Sequence, residues 1–241
     1  MVIGKLRQVG PPVLVRERAL HQLRDAIISG EIAPGTRLIE RELCAAMGVS
    51  RASVREVIRR LEAERLIEAV PRRGPTVTTL TRKQAAEIYE IRGLFETLLI
   101  RRFTEVANDR DIAALQAIFE DVKRVAAKRD PVQIIGLMRR FNEHVMAVVR
   151  HDIARDVLSQ LNARISWLRV KAMAKPGRIA ASVGEVTAVL DAIERRDAEA
   201  AAQHMAAYIH NARDAALEQL AEQEEKKPER QGRRKRGSKG S

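Results

Sequence analysis

Apolar residues in the first eighty positions recur at the three- and four-residue spacing that is typical of amphipathic helices. This spacing predicts three helices, over 14–29, 40–47 and 51–64. The residues expected to face the interior are Leu20, Leu23, Ile27, Leu43, Met47, Val54, Ile58 and Leu61. Ser50 stands immediately before the third helix, where a hydroxyl side chain is a favourable N-cap.

Two short β-prone runs, Leu66–Val70 and Thr76–Thr79, follow the third predicted helix. The Pro-Arg-Arg-Gly-Pro segment at 71–75 joins them and is incompatible with a helix. Three helices and a β-hairpin within about eighty residues are typical of a winged helix-turn-helix. We therefore expect a first domain over 1–80.

From Thr81 onward the pattern is helical and strand signals are lacking. Thr81 and Gln84 have the spacing of a capping box, and the Asp-Pro pair at 130–131 is a strong helix start. Six predicted helices with short connections indicate an all-α antiparallel bundle of six to seven helices over 81–225. The fold class is thus mainly α. The segment 226–241 has no apolar side chain and is expected to be a disordered basic tail.

Charge is unevenly distributed along the chain, whose formal net charge is +12. Residues 1–80 carry 14 Lys and Arg against 9 Asp and Glu, and 226–241 carry 8 against 1, whereas the middle is neutral. Basic ends around a neutral body indicate a polyanion partner. Three interpretations of the tail stay open: a solubilising extension, added phosphate contacts for a specific regulator, and a chromatin-like, non-specific DNA binder.

Several classes of protein are disfavoured by what the sequence lacks. Cys44 is the only cysteine, which excludes an intrachain disulfide. We find no nucleophile elbow, phosphate-binding glycine loop or zinc-protease motif, so an enzyme is not expected. No apolar run is long enough to span a bilayer and no secretion signal is recognised, so no membrane partner and a cytoplasmic location are expected.

The segment 40–64 has the chemistry of a helix pair whose second helix enters a major groove. Arginine forms two bonds to a guanine edge, and serine hydroxyls suit phosphates or bases. The candidate DNA-binding residues are Arg41, Ser50, Arg51, Ser53 and Arg55, with Arg72, Arg73 and Gly74 from the hairpin tip. The alternative for any single arginine is a solvated helix face.

Residues 14–79 resemble the DNA-binding domain of GntR-type bacterial regulators. The match is carried by SGEIAPG, then ERELCAAMGVSRASVRE, then the PRRG hairpin tip. The resemblance implies the contacts named above and a homodimer on a short palindromic operator of double-stranded DNA. Residues 82–222 resemble the FadR-type helical effector domain, called FCD, through IYEIRGLFE and VLDAIERRDAEAAAQHMAAYI. It implies a ligand-responsive transcriptional regulator, expected to be a repressor.

Many FCD domains hold a metal ion with an Asp and a His one turn apart and two further His residues. The corresponding positions here are Met138, Asn142, Val186 and Tyr208, and none is a good ligand. We therefore predict no metal cofactor. The histidines elsewhere in the chain are expected to be surface or structural residues.

Two arginines interrupt predicted inward stripes of the bundle. Arg92 lies among Ile88, Phe95 and Leu99, and Arg164 lies in a stripe of the fourth helix given by Val157, Leu161 and Leu168. A buried cation needs a partner. Either Glu96 pairs with Arg92 within the chain, or an effector that carries a carboxylate or phosphate is bound by Arg92 or Arg164, with Asn142 and Tyr208 adding hydrogen bonds. A fatty acyl thioester is a further possibility, and whether the ligand releases or promotes DNA binding stays open.

Overall fold

The structure, a computed structural model, describes the backbone of residues 13–236 and the side chains of 15–222. Internal contacts divide the chain after Thr79 into two units. The division lies one residue from the domain boundary expected at position 80. The mainly α fold class is confirmed.

The first unit is a winged helix-turn-helix. Its elements are α1 (Val13–Ser29), α2 (Glu40–Met47), α3 (Arg51–Ala63), β1 (Ile67–Val70) and β2 (Gly74–Val77). Ser50 caps α3 as predicted, because its Oγ accepts a hydrogen bond of 3.2 Å from the backbone N–H of Ser53. Gly48 ends α2 in the left-handed conformation.

The wing is an antiparallel hairpin in which Ile67 pairs with Val77 and Val70 pairs with Gly74. Its connection turns back within three residues because Arg72 and Gly74 both have positive φ angles, of 62° and 83°. Glycine adopts that conformation without steric cost, which suits Gly74 to this turn. Arg37 adds an isolated antiparallel bridge to Thr76.

The core of the first unit joins α1, α3 and the hairpin. The predicted inward residues of α1 and α3 are all buried, and Val57 joins them. The prediction for α2 is wrong in degree, since Leu43 and Met47 are only half-buried and α2 has no buried residue. A helix of eight residues that packs mainly against α3 leaves most of its circumference in solvent.

The second unit is a helical bundle. Its helices are α4 (Arg82–Val106), α5 (Asp109–Ala127), α6 (Pro131–Val149), α7 (Asp152–Met173), α8 (Arg178–Glu194) and α9 (Ala198–Arg236). The capping box of Thr81 and Gln84 is present, as are the N-cap of Asp130 and the proline that follows it. Asn108 and Asp111 form a second capping box at α5. Over the described residues, no helix has both the length and the apolar character that crossing a bilayer requires.

Helix α4 lies at the centre of the bundle, where it packs along α9 and against α6 and α7. One continuous apolar core connects all six helices of this unit. Three phenylalanines in it, Phe103, Phe119 and Phe141, are almost completely buried. The core therefore fixes the positions of the polar groups that point into it from α4.

The tail prediction requires a correction over part of its length. Helix α9 continues through 226–236, which we expected to be disordered, and 237–241 lie outside the described residues. The backbone stays helical across Pro228 and Gly232, two residues that disfavour a helix interior, because extending an existing helix costs far less than nucleating one.

The packing of the first unit predicts unequal costs for two leucine truncations. Leu61→Ala should destabilise the full chain by about 2–5 kcal/mol, because Leu61 is completely buried. Leu43→Ala should cost clearly less, since half of its side chain is already in solvent. Amide hydrogen exchange of α3 in both variants measures the difference. Equal loss of protection would contradict the peripheral position of α2.

Candidate DNA-binding surface and buried arginine cluster

The first turns of α3 expose one face and bury the other. Val54 and Val57 are completely buried, whereas Arg51, Ala52 and Arg55 are exposed. The alternation follows from the helical period, which places 51, 52 and 55 opposite the core residues. The exposed face begins at the helix N-terminus, where the backbone dipole favours negative charge.

Three predicted DNA-binding arginines are free for a partner. Arg41, Arg51 and Arg72 are exposed, and none has an ion pair or side-chain hydrogen bond within the described part of the chain. They come from α2, α3 and the wing tip. An exposed cation without an internal partner can neutralise a phosphate of DNA and release the counterions that are condensed on it.

Two other predicted arginines are held by the protein itself. Arg55 donates from Nε to both carboxylate oxygens of Glu40, at 3.1 and 3.0 Å, and this contact joins α3 to the start of α2. Arg73 donates from Nη2 to the backbone oxygen of Gly35 at 2.9 Å. The side chain of Arg55 is still 62% exposed.

The two serines at the start of α3 have structural roles in the free protein. Ser50 is the N-cap, and its hydroxyl lies 3.1 Å from the hydroxyl of Ser53. Ser50 is exposed and Ser53 half-buried. A hydroxyl that accepts from the backbone can still donate its own proton outward.

Charged side chains lie deep inside the helical bundle. Arg92 is 1% exposed and donates from Nε to Oε1 of Glu96 at 2.8 Å, and Glu96 is 4% exposed. The guanidinium also lies 4.9 Å from the ring centre of Tyr89. Its Nη1 is buried with no hydrogen-bond partner. The internal Arg92–Glu96 pair considered from the sequence is therefore present, and it leaves the Nη1 amino group of Arg92 without a hydrogen bond.

A second buried cation, Arg169, was missed by the sequence analysis. Its side chain is 7% exposed, and Nη1 donates to Oδ1 of Asn162 at 3.3 Å. Burial lowers the pKa of Arg169, and the positive charge of Arg92 lowers it further. For Arg92 burial is the largest single effect and also opposes the charge, but the interactions with Glu96, Tyr89 and Tyr208 together outweigh it, so the pKa is raised.

The stripe predicted for α7 agrees only in part with the buried face of the helix. Leu168 is completely buried as predicted, but Val157, Leu161 and Arg164 are only half-buried, while Leu158, Ile165 and Arg169 face the interior. The inward stripe is thus displaced by about one residue along most of the helix. Nε of Arg164 is nevertheless buried without a hydrogen-bond partner.

The other two predicted effector-binding residues lie beside the buried charges. Asn142 on α6 donates from Nδ2 to Oε2 of Glu96 at 3.5 Å, which is a long contact. Tyr208 on α9 is buried close enough to Arg92 and Arg169 to affect the pKa of both. A cavity of about 10 Å³ lies against Glu96, Asn142 and Met205. Its volume suffices for about one water molecule.

The positions that hold metal in many FCD domains do not suit a metal ion here. Met138, Val186 and Tyr208 are buried and Asn142 is half-buried, so all four lie within the bundle. Their side chains offer a thioether, an isopropyl group, a phenol and an amide, with no carboxylate or imidazole among them. The donor set does not fit the group.

Two histidines of this unit have identifiable structural roles. His144 bonds through Nε2 to the backbone oxygen of Asp111 at 2.9 Å and contacts the edge of Phe103. His151 is the N-cap of α7, where Nδ1 accepts from the backbone N–H of Ala154. These contacts agree with the structural histidines expected from the sequence.

Both units match families of known proteins. Residues 15–77 match the family described as bacterial regulatory proteins, gntR family, and residues 87–211 match the FCD domain. The chain is 28% identical over 192 residues to an uncharacterized HTH-type transcriptional regulator, YdhC, of Bacillus subtilis (strain 168), with 79% of this chain and 86% of that protein covered. It is 31% identical over 144 residues to the gluconate operon transcriptional repressor of the same organism, covering 60% and 59%.

Among solved structures, McbR/YncC of E. coli superimposes with a TM-score of 0.75 at 23% identity. The match covers 88% of this chain and 99% of that one. At this identity the likeness concerns the fold alone.

The buried charges predict how substitutions at these positions change the free energy of unfolding. Glu96→Gln should destabilise the full chain by roughly 3–5 kcal/mol, because it leaves Arg92 and Arg169 buried without their carboxylate. Arg169→Met should cost at most about 1 kcal/mol, since lost contacts are offset by removal of a like charge. Urea unfolding measures both.

The double variant Glu96→Gln with Arg169→Met should be more stable than Glu96→Gln alone. The exposed Glu143, paired with Arg139, provides the control, and Glu143→Gln should change stability by less than about 0.5 kcal/mol. A Glu96→Gln protein as stable as the control would show that the buried cations do not depend on this carboxylate.

Proposed function

The chain belongs to the GntR family of bacterial regulators, with an FCD domain after its DNA-binding domain, and on this basis we propose that it binds a palindromic operator as a homodimer and responds to a small acidic metabolite. The family relation confirms the prediction of a DNA-binding transcriptional regulator and not an enzyme. The operator symmetry, the dimer and the effector chemistry are the proposal.

The proposed DNA contacts divide into two groups. Arg41, Arg51 and Arg72 supply exposed cations without internal partners, and Arg55 supplies a guanidinium oriented by Glu40. Base-edge contacts are assigned to α3, because its N-terminal turns expose short and long polar side chains together. The remaining proposed contacts, to phosphates, come from Ser50, Ser53, Arg73 and the backbone at Gly74.

The small extent of DNA that one winged helix can cover supports the proposed homodimer. One winged helix exposes a single recognition helix, which covers only a few base pairs, and two copies related by a twofold axis read a palindrome. The helical units would set the distance between the two winged helix-turn-helix units of the dimer. An effector that binds one spacing better than another shifts the population between them.

The proposed effector is an anion that balances the charge inside the bundle. Arg92, Arg169 and Glu96 leave one uncompensated positive charge in a region shielded from solvent. A carboxylate or phosphate that bonds the unused Nη1 of Arg92 and the guanidinium of Arg169 would neutralise it. Tyr208 and Asn142 would add hydrogen bonds, and Arg164 would reach the same anion from the flank of α7.

The small size of the cavity indicates how effector binding would change the packing of the helical unit. A space of about 10 Å³ does not admit a metabolite, so side chains around Glu96 and Asn142 must move for the anion to enter. Binding would then favour a different packing of α4 against α6 and α9, and differential affinity for the two packings is what a ligand-responsive regulator requires. The relative named as gluconate operon transcriptional repressor supports repression.

Changing Arg51 and Arg55 together to alanine should abolish the choice of target sequence. Selection from random DNA defines the operator of the parent protein, and the ratio of operator to random-sequence affinity should fall at least about thirtyfold in the variant. Arg59→Ala is the control, because Arg59 is exposed on the same helix about two turns after Arg51 and one turn after Arg55. Undiminished selectivity in the double variant would contradict the proposed reading helix.

Loss of Arg169 should remove the response to the effector. Thermal shifts of the full chain with a panel of small carboxylates, gluconate included, and phosphate esters should identify a stabilising compound. Arg169→Met should raise its Kd at least about thirtyfold, because truncating one partner of a buried charge pair costs about 2–5 kcal/mol.

Arg164→Ala tests the flanking contact, and Arg140→Met serves as an exposed control of equal charge change. If Arg169→Met binds the compound as the parent does, Arg169 has no part in the site. An unchanged Kd in Arg164→Ala removes Arg164 from the proposal.

A further inference from the structure

Helix α9 continues past the point at which its neighbour α4 begins. The two helices run antiparallel, since Arg101 pairs with Glu199 at 2.8 Å and Gly93 lies against Ile209. Eleven further residues along each helix place the start of α4 opposite Leu220, the last buried residue of α9 among the described side chains. The backbone of α9 remains helical for sixteen more residues, a length of about 24 Å.

The charge of α9 changes sign beyond this point. Residues 198–225 carry six acidic side chains and one arginine, whereas 226–241 carry eight Lys and Arg against one Glu. Half of those cations, four in succession, occupy 233–236. Cations stabilise a helix C-terminus only within its last turn, so the helix dipole does not account for the whole group. A cluster of like charge at one end of a helix indicates a polyanion partner instead.

The basic segment 226–241 begins at the end of the helical unit where the chain enters that unit. Leu80 is the first residue of the helical unit, and Thr81 caps the start of α4. The winged helix-turn-helix is therefore joined to this same end of the helical unit. When the winged helix-turn-helix holds a duplex, cations tethered at the point of connection have a high effective concentration near that duplex.

Duplex DNA suits the composition of the basic segment better than a lipid surface does. The segment contains no aromatic or branched aliphatic side chain, and such side chains are what an interfacial helix buries in lipid. A duplex requires cations alone, since it presents one negative charge for about every 1.7 Å of its axis. The segment also lies outside both family matches, which cover 15–77 and 87–211, so it is a feature of this chain.

We propose that the segment 226–241 binds the phosphates of duplex DNA beside the site that the winged helix-turn-helix contacts. This contact is independent of base sequence, because lysine and arginine bind the phosphates and not the base edges. The inference rests on the proposed operator binding and adds a second, non-specific contact from the other end of the chain. It extends the bound stretch of DNA beyond the operator and steepens the dependence of affinity on salt.

The test replaces four successive cations by glutamine, which keeps a high helix propensity while it removes the positive charge. The variant combines Arg233→Gln, Arg234→Gln, Lys235→Gln and Arg236→Gln. Fluorescence anisotropy of the full chain measures the Kd for the bare operator and for the operator with about twelve base pairs added on each side, roughly 40 Å of duplex each.

On the longer duplex, the glutamine variant should bind at least about tenfold more weakly than the parent at about 0.15 M salt, because phosphate contacts are lost. The slope of log K against log salt should become shallower by about 3 to 4 for each chain. On the bare operator the Kd values of the two proteins should agree within about twofold, since the phosphates that the segment contacts are missing there.

A matched control removes the same charge from the opposite end of the helical unit. Arg102, Arg110, Arg150 and Arg195 are exposed and have no ion pair among the described side chains. They lie at the end of α4, the start of α5 and the ends of α6 and α8. Their joint replacement by glutamine should leave both Kd values within about twofold of those of the parent.

Two results would overturn the proposal directly: an unchanged Kd and salt slope in the variant at 233–236, or an equal weakening in the control, which would indicate an effect of net charge. If the variant binds the longer duplex as the parent does but no longer binds vesicles of anionic lipid, the partner is a membrane surface and the proposal is wrong. A parent protein that binds all duplexes of one length alike would contradict the proposed operator, whereas the comparison of short and long duplexes would still test the basic segment.

Discussion

The ion pair between Arg92 and Glu96 is the contact on which the interior of the helical unit depends. Both residues come from α4, one turn apart, and groups from α6, α7 and α9 gather around them. A charge at this depth is tolerated only with a countercharge, and here the cations outnumber the carboxylate by one. The packing around this pair therefore encloses one more positive than negative charge. The proposed anionic effector would neutralise this excess, which would link the stability of the fold to effector binding.

The features that could be predicted from the sequence are those with local causes. Ser50, Thr81 and Asp130 mark helix starts because a cap needs only its own side chain and the next backbone N–H groups. Arg92 was recognised as an inward cation because Ile88 and Leu99 define its stripe without ambiguity. The exposed arginines of the winged helix-turn-helix were predicted in the same way, from their position opposite the valines of α3.

The features that escaped prediction depend on tertiary packing. The end of α7 is buried on every side from Ile165 to Val170, so no stripe distinguishes Arg169 from its neighbours. The shallow burial of α2 reflects how few elements reach it, which periodicity does not encode. The helical course of 226–236 was not predictable either, because the segment has no apolar face and contains Pro228 and Gly232.

The contact between Arg55 and Glu40 has a consequence for how the reading head discriminates. Glu40 engages only Nε, so the two terminal amino groups of Arg55 remain free while the plane of the guanidinium is held in place. A side chain already immobilised loses little rotational freedom when it meets a base, but it also has little ability to adapt to a mismatched one. In the proposed complex with DNA, Arg55 would therefore contact one base pair with little adjustment, whereas Arg41, Arg51 and Arg72, which no internal contact restrains, would adapt to different sequences.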